Sequence, residues 1–439
     1  MKDWEPGQNP LSKAPLDSFM AAASPAAVSR PHPTPADRAA AVDRSPGAAA
    51  GQPPLDLKRR LYFLSGFDPR GASFYFRLLS QDVERHNAKT LIGEGKPTKL
   101  VRRRQEGDRL VSRWRIQRSQ PNSSGRSTSH EIGFLHWDDI ARNHWPRRSL
   151  AMLGEIAEVY RWYLLQGGLL KIARLCPGVA LCGAYPGLFT ALAVLTALLG
   201  GAGLGALTYG ALPEPTLAMG AAIFVAASST WLLLLAAWSL ADRLGVVWLW
   251  RSIRFTHRLG QARDGDLRTR VQALARRILE LEAEAPAESV LLVGHSSGSF
   301  VMAMLAAELR RQDPAAAFTS RLSLLSLGQN LANLAVYPRA QAFHADLQEL
   351  AREPRVPWLD VTSHDDLLCF AGVDPYRSCG LAAPGGTAYP ALQLVALAQP
   401  RGWLDRLALA FQQFDLHFRY LRQAPASHGF DPLSQLLKP

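Results

Sequence analysis

The sequence predicts an α/β protein with a mostly parallel sheet flanked by helices and a two-helix transmembrane hairpin inserted between two parts of the sheet. Three observations predict it. An apolar strand at 290–293 runs into a Gly-x-Ser-x-Gly turn and then into an apolar helix at 301–309. Strands and helices alternate on both sides of this turn, which is typical of parallel sheets. Two long stretches without a charged residue separate the two halves.

The turn is Gly294-His295-Ser296-Ser297-Gly298. A chain that doubles back from a strand into a helix needs residues without a Cβ on either side of the strained central position. Ser296 would then lie at the tip of the turn and at a helix N-terminus, where an oxyanion is stabilised. This context predicts a nucleophile elbow. The alternative is a tight strand-to-helix turn with a capping serine.

Composition excludes several classes of protein. The 439 residues carry a net charge of +12, but the arginines are scattered or flank apolar segments, and no zinc-finger, RRM or helix-turn-helix pattern occurs. We therefore expect no nucleic-acid binding. The four cysteines form no CxxC pair and are predicted to be reduced structural thiols. The N-terminus lacks the apolar region of a signal peptide, and residues 1–55 predict a disordered Pro/Ala-rich tail.

The charge-free stretches are 179–212 and 216–241, with Pro213-Glu214-Pro215 between them. Each exceeds the roughly 20 residues needed to cross a bilayer, so we predict membrane spans at about 185–209 and 217–240. The alternative is two buried helices of a soluble domain. Gly201 and Gly205 would allow close packing of the two helices. Arginines and lysines cluster on both flanks, which predicts that both flanks and both termini are cytoplasmic.

Before the hairpin, the pattern predicts strands at 61–64, 109–117 and 132–137, with helices at 72–85 and 149–175. The loop Ser65-Gly66-Phe67 after the first strand lies where a backbone N–H could stabilise an oxyanion, unless it is an ordinary strand-to-helix turn. Asp138 and Asp139 are expected to cap a helix or to pair with nearby arginines. After the hairpin we predict a long helix at 252–285 and strands at 322–327, 358–362 and 392–398.

A serine nucleophile needs a base, and the base needs an acid that orients it. In hydrolases built around such an elbow, the acid and then the histidine follow the serine in the chain. Asp366 is the preferred acid, Asp365 the alternative, and both could merely cap a turn. His417 is the preferred base and His428 the alternative, although a histidine among aromatic residues can simply be packed. His295 is expected to support the elbow.

These residues carry a resemblance. Segments 66–71, 137–140, 294–298, 358–375 and 416–421 resemble bacterial α/β-hydrolase-like integral membrane proteins, over about 59–422 in all. The resemblance implies an α/β-hydrolase-like fold, favours Asp366 and His417 by position, and implies a bacterial cytoplasmic membrane. Ser65-Gly66-Phe67 replaces the His-Gly oxyanion motif that is usual in the superfamily.

The sequence thus predicts a membrane-anchored serine hydrolase, esterase- or lipase-like, that cleaves an acyl ester and is directed to a lipid-like substrate by its place at the lipid bilayer. Ser296 would attack, His417 would move the proton and Asp366 would orient it. The N–H of Ser297, with that of Gly66 or Phe67, would hold the oxyanion. No metal or organic cofactor is expected. The alternative is a catalytically inactive hydrolase-like membrane scaffold.

The predicted organisation has five segments. The tail at 1–55 precedes the first part of the hydrolase-like domain at 56–175. The transmembrane hairpin at 176–250 separates it from the second part at 251–425, and a C-terminal tail occupies 426–439.

Overall fold

A computed structural model describes residues 57–90, 99–102, 108–117, 128–145, 149–381, 389–400 and 402–422. The two predicted tails, at 1–55 and 426–439, lie outside these residues, as does His428.

The described strands form one sheet with the order β2-β3-β4-β1-β5-β6-β7-β8. β2 and β3 pair antiparallel, as do β3 and β4, and the other neighbours are parallel. The predicted α/β class with a mostly parallel sheet is confirmed. The strands are β1 (Leu57–Leu64), β2 (Lys99–Arg102), β3 (Val111–Gln117), β4 (Thr128–Leu135), β5 (Ser289–His295), β6 (Leu322–Leu327), β7 (Trp358–Thr362) and β8 (Ala391–Leu394).

Helices connect and flank these strands. Two of them, α5 and α6, form the hairpin between β4 and β5. The helices are α1 (Gly71–Thr90), α2 (Asp138–Asn143), α3 (Ser149–Leu165), α4 (Gly168–Leu175), α5 (Pro177–Ala211), α6 (Pro215–Arg243), α7 (Val246–Gly260), α8 (Gly265–Glu284), α9 (Gly298–Gln312), α10 (Leu331–Ala335), α11 (Gln341–Ala351), α12 (Pro375–Ser378), α13 (Trp403–Phe411) and α14 (Gln413–Phe418), with 3₁₀ helices at Thr319–Arg321 and Arg419–Leu421.

The central strands are apolar on both faces because helices cover both. Along β5, Leu292 faces a core built with α8, α9 and α11. The next residue, Val293, faces a second core that contains side chains of α1 and α14. The alternation of side chains along a strand therefore divides the interior into two layers.

The hairpin helices pack closely on each other along a line of small residues. A Cβ on Gly205 would lie 2.9 Å from the carbonyl oxygen of Ala222 on α6, so only glycine allows this approach. Other side chains are exposed, including Leu199 (65%) and Phe224 (72%). Both helices are long and apolar enough to cross a membrane. Only 11% and 6% of their most apolar windows are buried, unlike the mostly buried core helix of a soluble protein.

Two long predicted helices are each divided in two. The predicted helix at 252–285 is wrong as one element, because α7 ends at Gly260 and α8 begins at Gly265. The N–H of Arg263 bonds the carbonyl of Arg258, and Ala262 has a φ of 59°, which closes α7 in a Schellman motif. The stretch at 149–175 divides at Gly167, whose φ is 69°. The domain boundary predicted at 250–251 falls inside α7.

Candidate active site

Ser296 lies in a sharp turn between β5 and α9. Its φ is 56°, in the left-handed region that is costly for a residue with a side chain. The turn is held from both sides. The N–H of Ser296 donates to the carbonyl of Leu327 over 2.9 Å, and the Ser299 hydroxyl donates to the carbonyl of Ser296 over 2.6 Å. The chain therefore keeps Ser296 in a strained conformation at the carboxyl end of a central strand.

The two glycines of the turn are required by close contacts. A Cβ on Gly294 would lie 2.6 Å from the carbonyl oxygen of Gly298, and one on Gly298 would lie 2.5 Å from the carbonyl oxygen of Leu64. Both distances are too short for any side chain, so each position admits only glycine without a shift of backbone. This is the strand-turn-helix geometry that the Gly-x-Ser-x-Gly pattern predicts.

Asp366 and His417 form a buried pair next to this turn. The Nδ1 of His417 lies 2.7 Å from Oδ2 of Asp366, whose other oxygen accepts a bond from the N–H of Leu368. With the carboxylate on Nδ1, the other ring nitrogen, Nε2, is the one able to accept a proton. No hydrogen bond to Nε2 is formed among the described residues, and His417 lines the cavity that also contains Ser296.

Two other acids near this loop, the alternative Asp365 and Asp360 of β7, have other partners. Asp365 accepts bonds from the backbone N–H groups of Leu397 and Ala398, at 2.9 and 3.0 Å, and so fixes the chain after β8. Asp360 is fully buried in β7 and accepts a bond from the Ser326 hydroxyl. Burial raises the pKa of Asp360 to about 8, so this carboxyl is largely protonated at neutral pH. Of the three acids, only Asp366 contacts His417.

His295 contacts His417 through its ring and through the backbone of α14. Its Nε2 donates to the carbonyl oxygen of His417 over 2.9 Å, and the two rings lie 4.9 Å apart. Burial, together with the neighbouring His417, lowers the pKa of His295 to about 3. His295 is therefore neutral at physiological pH and holds the backbone of α14 in place.

The hydroxyl of Ser296 has a partner other than the base. Asn330 Nδ2 donates to Ser296 Oγ over 3.4 Å, and no hydrogen bond joins Ser296 to His417 within the part of the chain that the structure describes. The backbone N–H of Asn330 also donates to the Ser299 hydroxyl over 3.0 Å. At 3.4 Å the bond from Asn330 is long. Catalytic hydrogen bonds are often long or unformed in the free enzyme and tighten only once substrate is bound.

Three backbone N–H groups belong to residues that line the cavity beside Ser296. Gly66, Phe67 and Ser297 all line the cavity beside Ser296, and among the described residues their N–H groups form no hydrogen bond. Buried N–H groups are rarely left unpaired, so these three are candidate donors for an oxyanion formed beside Ser296. Gly66 approaches closely because it has no side chain: a Cβ there would lie 2.9 Å from Cβ of Ser296.

Gln413 is a site residue that the sequence analysis did not identify. Its Oε1 accepts a bond from the N–H of Leu367 over 2.7 Å, and its Nε2 donates to the carbonyl of Asp365 over 3.3 Å. It thus ties the loop that carries Asp366 to the helix that carries His417. A glutamine four residues before a histidine is common in helices, so only the fold reveals this role.

The hairpin contributes to the wall of the cavity. Val179, Cys182 and Gly183 of α5 line it, and so do Trp248 and other residues of α7. Aromatic and aliphatic side chains dominate the remaining wall, including Tyr163, Leu249, Ile253, Leu368, Phe414 and Phe418. The space next to Ser296 is therefore mostly apolar and adjoins the first turns of α5.

The predicted acids at the end of β4 have structural roles. Asp138 pairs with Arg142 and His136, and Asp139 pairs with Arg270 at 2.6 Å. Both acids lie in the first turn of α2, but the N-cap is Trp137 and no side-chain cap bond forms there, so the expected capping is wrong. The expected pairing with Arg142 is confirmed for Asp138 only.

Comparison with protein-family models, with curated proteins and with solved structures found no match to this chain in any of the three. The mostly parallel sheet flanked by helices is compatible with an α/β-hydrolase-like fold.

Proposed function

We propose that this protein is a membrane-anchored serine hydrolase of the α/β-hydrolase superfamily that cleaves an ester or related acyl bond. The observation that carries the proposal is the convergence on one cavity of Ser296 in its strained turn and of the buried Asp366–His417 pair. A nucleophile, a base and an acid that orients the base are the three parts that acyl transfer by serine needs.

In the proposed reaction, the oxygen of Ser296 attacks the acyl carbonyl while Nε2 of His417 accepts the hydroxyl proton. Asp366 stabilises the imidazolium that forms. The carbonyl oxygen becomes an oxyanion, held by the N–H of Ser297 and that of Gly66 or Phe67. Its collapse breaks the ester bond, and the imidazolium gives its proton to the leaving alcohol. A water molecule, activated in turn by His417, then releases the carboxylic acid and restores Ser296.

We further propose that α5 and α6 cross the bacterial cytoplasmic membrane. Basic residues lie on both flanks of the hairpin, while its turn carries only Glu214. This distribution favours a cytoplasmic hydrolase domain. Each flanking cation near the surface adds about 1 kcal/mol of attraction to anionic head groups.

The membrane anchor affects which substrates reach the cavity. The base of α5 lines the cavity, and the rest of the wall is mostly apolar. An active site held at a bilayer meets membrane-borne amphiphiles at a high effective concentration. We therefore propose a lipid-like or long-chain acylated substrate rather than a small soluble ester.

One observation favours a second candidate, a catalytically inactive scaffold. Ser296 bonds to Asn330, and no hydrogen bond joins it to His417 among the described residues. A binding protein with this fold would keep the cavity without needing the proton transfer.

Ester hydrolysis by the full chain in bilayers tests both candidates. We expect hydrolysis by the native protein and none above background by Ser296→Ala, with long-chain esters in bilayers turned over faster than short soluble esters. Ser320→Ala, at an exposed position, is the matched control and should behave as the native protein does. Equal activity in Ser296→Ala would contradict the mechanism. Folded native protein without hydrolysis would favour the scaffold, and faster turnover of short esters would contradict the lipid-like substrate.

A further inference from the structure

α13 carries four large apolar side chains that the rest of the described chain does not cover. Trp403, Leu404, Leu407 and Phe411 are 72%, 61%, 51% and 74% exposed. At about 100° per residue they fall within an arc of roughly 100°, so they form one face of the helix. We call these four residues the apolar face of α13. A patch of this kind on a protein surface marks an interaction site.

The opposite side of α13 faces the protein. Leu409 lies outside the arc and packs against the core shared by α1 and α14. Asp405, also outside the arc, is an exposed acid. The helix therefore has a defined orientation, with one side toward the domain and the apolar face away from it.

α13 is followed in the chain by α14, which packs on the end of the hairpin. α14 begins two residues after Phe411. Phe414 of α14 packs on Trp248, with ring centroids 5.4 Å apart, and its ring fills the space beside Gly245. Gly245 lies two residues after the end of α6. The helix that directly follows α13 thus packs on the end of the hairpin that the proposed topology places at the cytoplasmic surface.

The composition of α13 suits a lipid interface. Tryptophan, leucine and phenylalanine on one side of a helix are typical of segments that lie in the plane of a membrane. Tryptophan in particular prefers the head-group level. In sequence, Arg401 and Arg406 give the segment basic residues that anionic lipids attract.

We propose that α13 lies in the cytoplasmic leaflet and inserts its apolar face among the lipids, as a second membrane contact beside the hairpin. This inference rests on the membrane insertion proposed above for α5 and α6. The contact holds α14, and with it His417, at the bilayer surface, where a lipid-like substrate is available to the cavity.

Photocrosslinking tests the proposal in the full chain reconstituted in vesicles that contain a phospholipid with an alkyne-tagged acyl chain. p-Benzoylphenylalanine is placed at 407 or 411 on the apolar face, and at 405 on the other side of α13 as the matched control. We expect at least about fivefold more lipid adduct at 407 and 411 than at 405, because only the apolar face would lie among acyl chains.

The same probe at 199, an exposed position of α5, reports separately on the hairpin. Lipid adduct at 199 with none above the 405 level at 407 and 411 would overturn the role of α13. Crosslinks from 407 to a second copy of the chain, or to another segment of the same chain, would also overturn it. Absence of adduct at 199 would refute hairpin insertion, and the inference would fall with it. The crosslinking test does not measure ester hydrolysis. Its result would therefore stand even if the protein proved to have no hydrolase activity.

Discussion

The Nδ1 atom of His417 lies 2.7 Å from Oδ2 of Asp366, although 51 residues separate the two in the chain. The acid comes from the loop after β7 and the histidine from α14, and Gln413 of α14 bonds the backbone of that loop. Both side chains are buried, with exposed fractions of 0% and 7%. A charge-assisted hydrogen bond that is shielded from solvent fixes the orientation of the His417 ring.

Removal of either partner of this pair is expected to abolish nearly all ester hydrolysis. Asp366→Asn and His417→Ala should each lower kcat by about 10³- to 10⁴-fold, because nucleophile, base and acid act as one unit. For the same reason the double variant should be little worse than either single variant. Steady-state kinetics of the three purified proteins would check this, and losses that multiply in the double variant would contradict it.

Asp365→Asn is the matched control for this prediction. Its carboxylate accepts the N–H groups of Leu397 and Ala398 and does not contact His417. We expect a lower melting temperature with kcat within a few-fold of native. If Asp365→Asn lost as much activity as Asp366→Asn, the assignment of Asp366 as the catalytic acid would be contradicted.

Gly66→Ala is expected to disrupt the reaction without unfolding the protein. The new methyl group would meet Cβ of Ser296 at 2.9 Å and Oγ at 3.3 Å, so Ser296 must move. A displacement near 1 Å at a reacting atom costs about 10²-fold in rate. The control is Gly154→Ala on α3, where a Cβ would meet nothing within 4 Å. Equal activity of the two variants would show that the contact at Gly66 is unimportant.

Much of this architecture was predictable because the deciding information is local. The apolar run before Gly294 and the spacing of Gly294, Ser296 and Gly298 define the turn, since small residues alone fit there. The strands at 322–327 and 358–362 were predicted with their observed bounds, because both are short, mostly apolar or β-branched segments followed by turn residues. The charge-free stretches likewise predict α5 and α6, which extend beyond the predicted spans at both ends.

Other features depend on contacts between distant segments and could not be predicted. The break between α7 and α8 is an exception, because it is local and is bordered in the sequence by Gly260 and Asp264-Gly265. What the sequence does not show is that Ala262, rather than a glycine, takes the left-handed position that closes α7. Nothing local connects Gln413 or Asn330 with the site, because their partners belong to other segments. The choice between Asp365 and Asp366 depends on which of the two faces α14, and two adjacent acids in a loop leave that open.

The buried carboxyl of Asp360 should make the stability of the protein depend on pH. Burial raises its pKa in the folded protein to about 8, against about 3.9 in an unfolded chain. Between these values the folded state holds a proton that the unfolded state has lost, so the free energy of unfolding falls as pH rises from about 4 to about 8. Asp360→Asn removes this contribution and should flatten the dependence. Melting temperatures from pH 5 to pH 8 would measure it.

The pH effect at Asp360 should be large enough to measure against a matched control. A shift of this size corresponds to an order of a few kcal/mol across the window. Glu284→Gln, whose side chain is exposed, should leave the slope of the native protein unchanged. A slope in Asp360→Asn as steep as that of Glu284→Gln would show that Asp360 is ionised in the folded state.

The proposed topology predicts which cysteines an impermeant maleimide can reach in intact cells. Glu214→Cys, in the turn of the hairpin, should be labelled from outside. Arg263→Cys, between α7 and α8, should be labelled only after the membrane is opened, because the basic flanks favour the cytoplasm. The unsubstituted chain measures labelling of the four native cysteines. The reverse pattern would overturn the orientation.

The most direct test of the central claim is labelling with a fluorophosphonate, which reacts with an activated serine and needs no knowledge of the substrate. The full chain in bilayers is compared with Ser296→Ala and with the exposed control Ser320→Ala. We expect labelling of the native protein and of Ser320→Ala, with the adduct on the peptide that contains Ser296, and none of Ser296→Ala. Labelling that persists in Ser296→Ala, or a folded native protein that does not react, would contradict a catalytic Ser296.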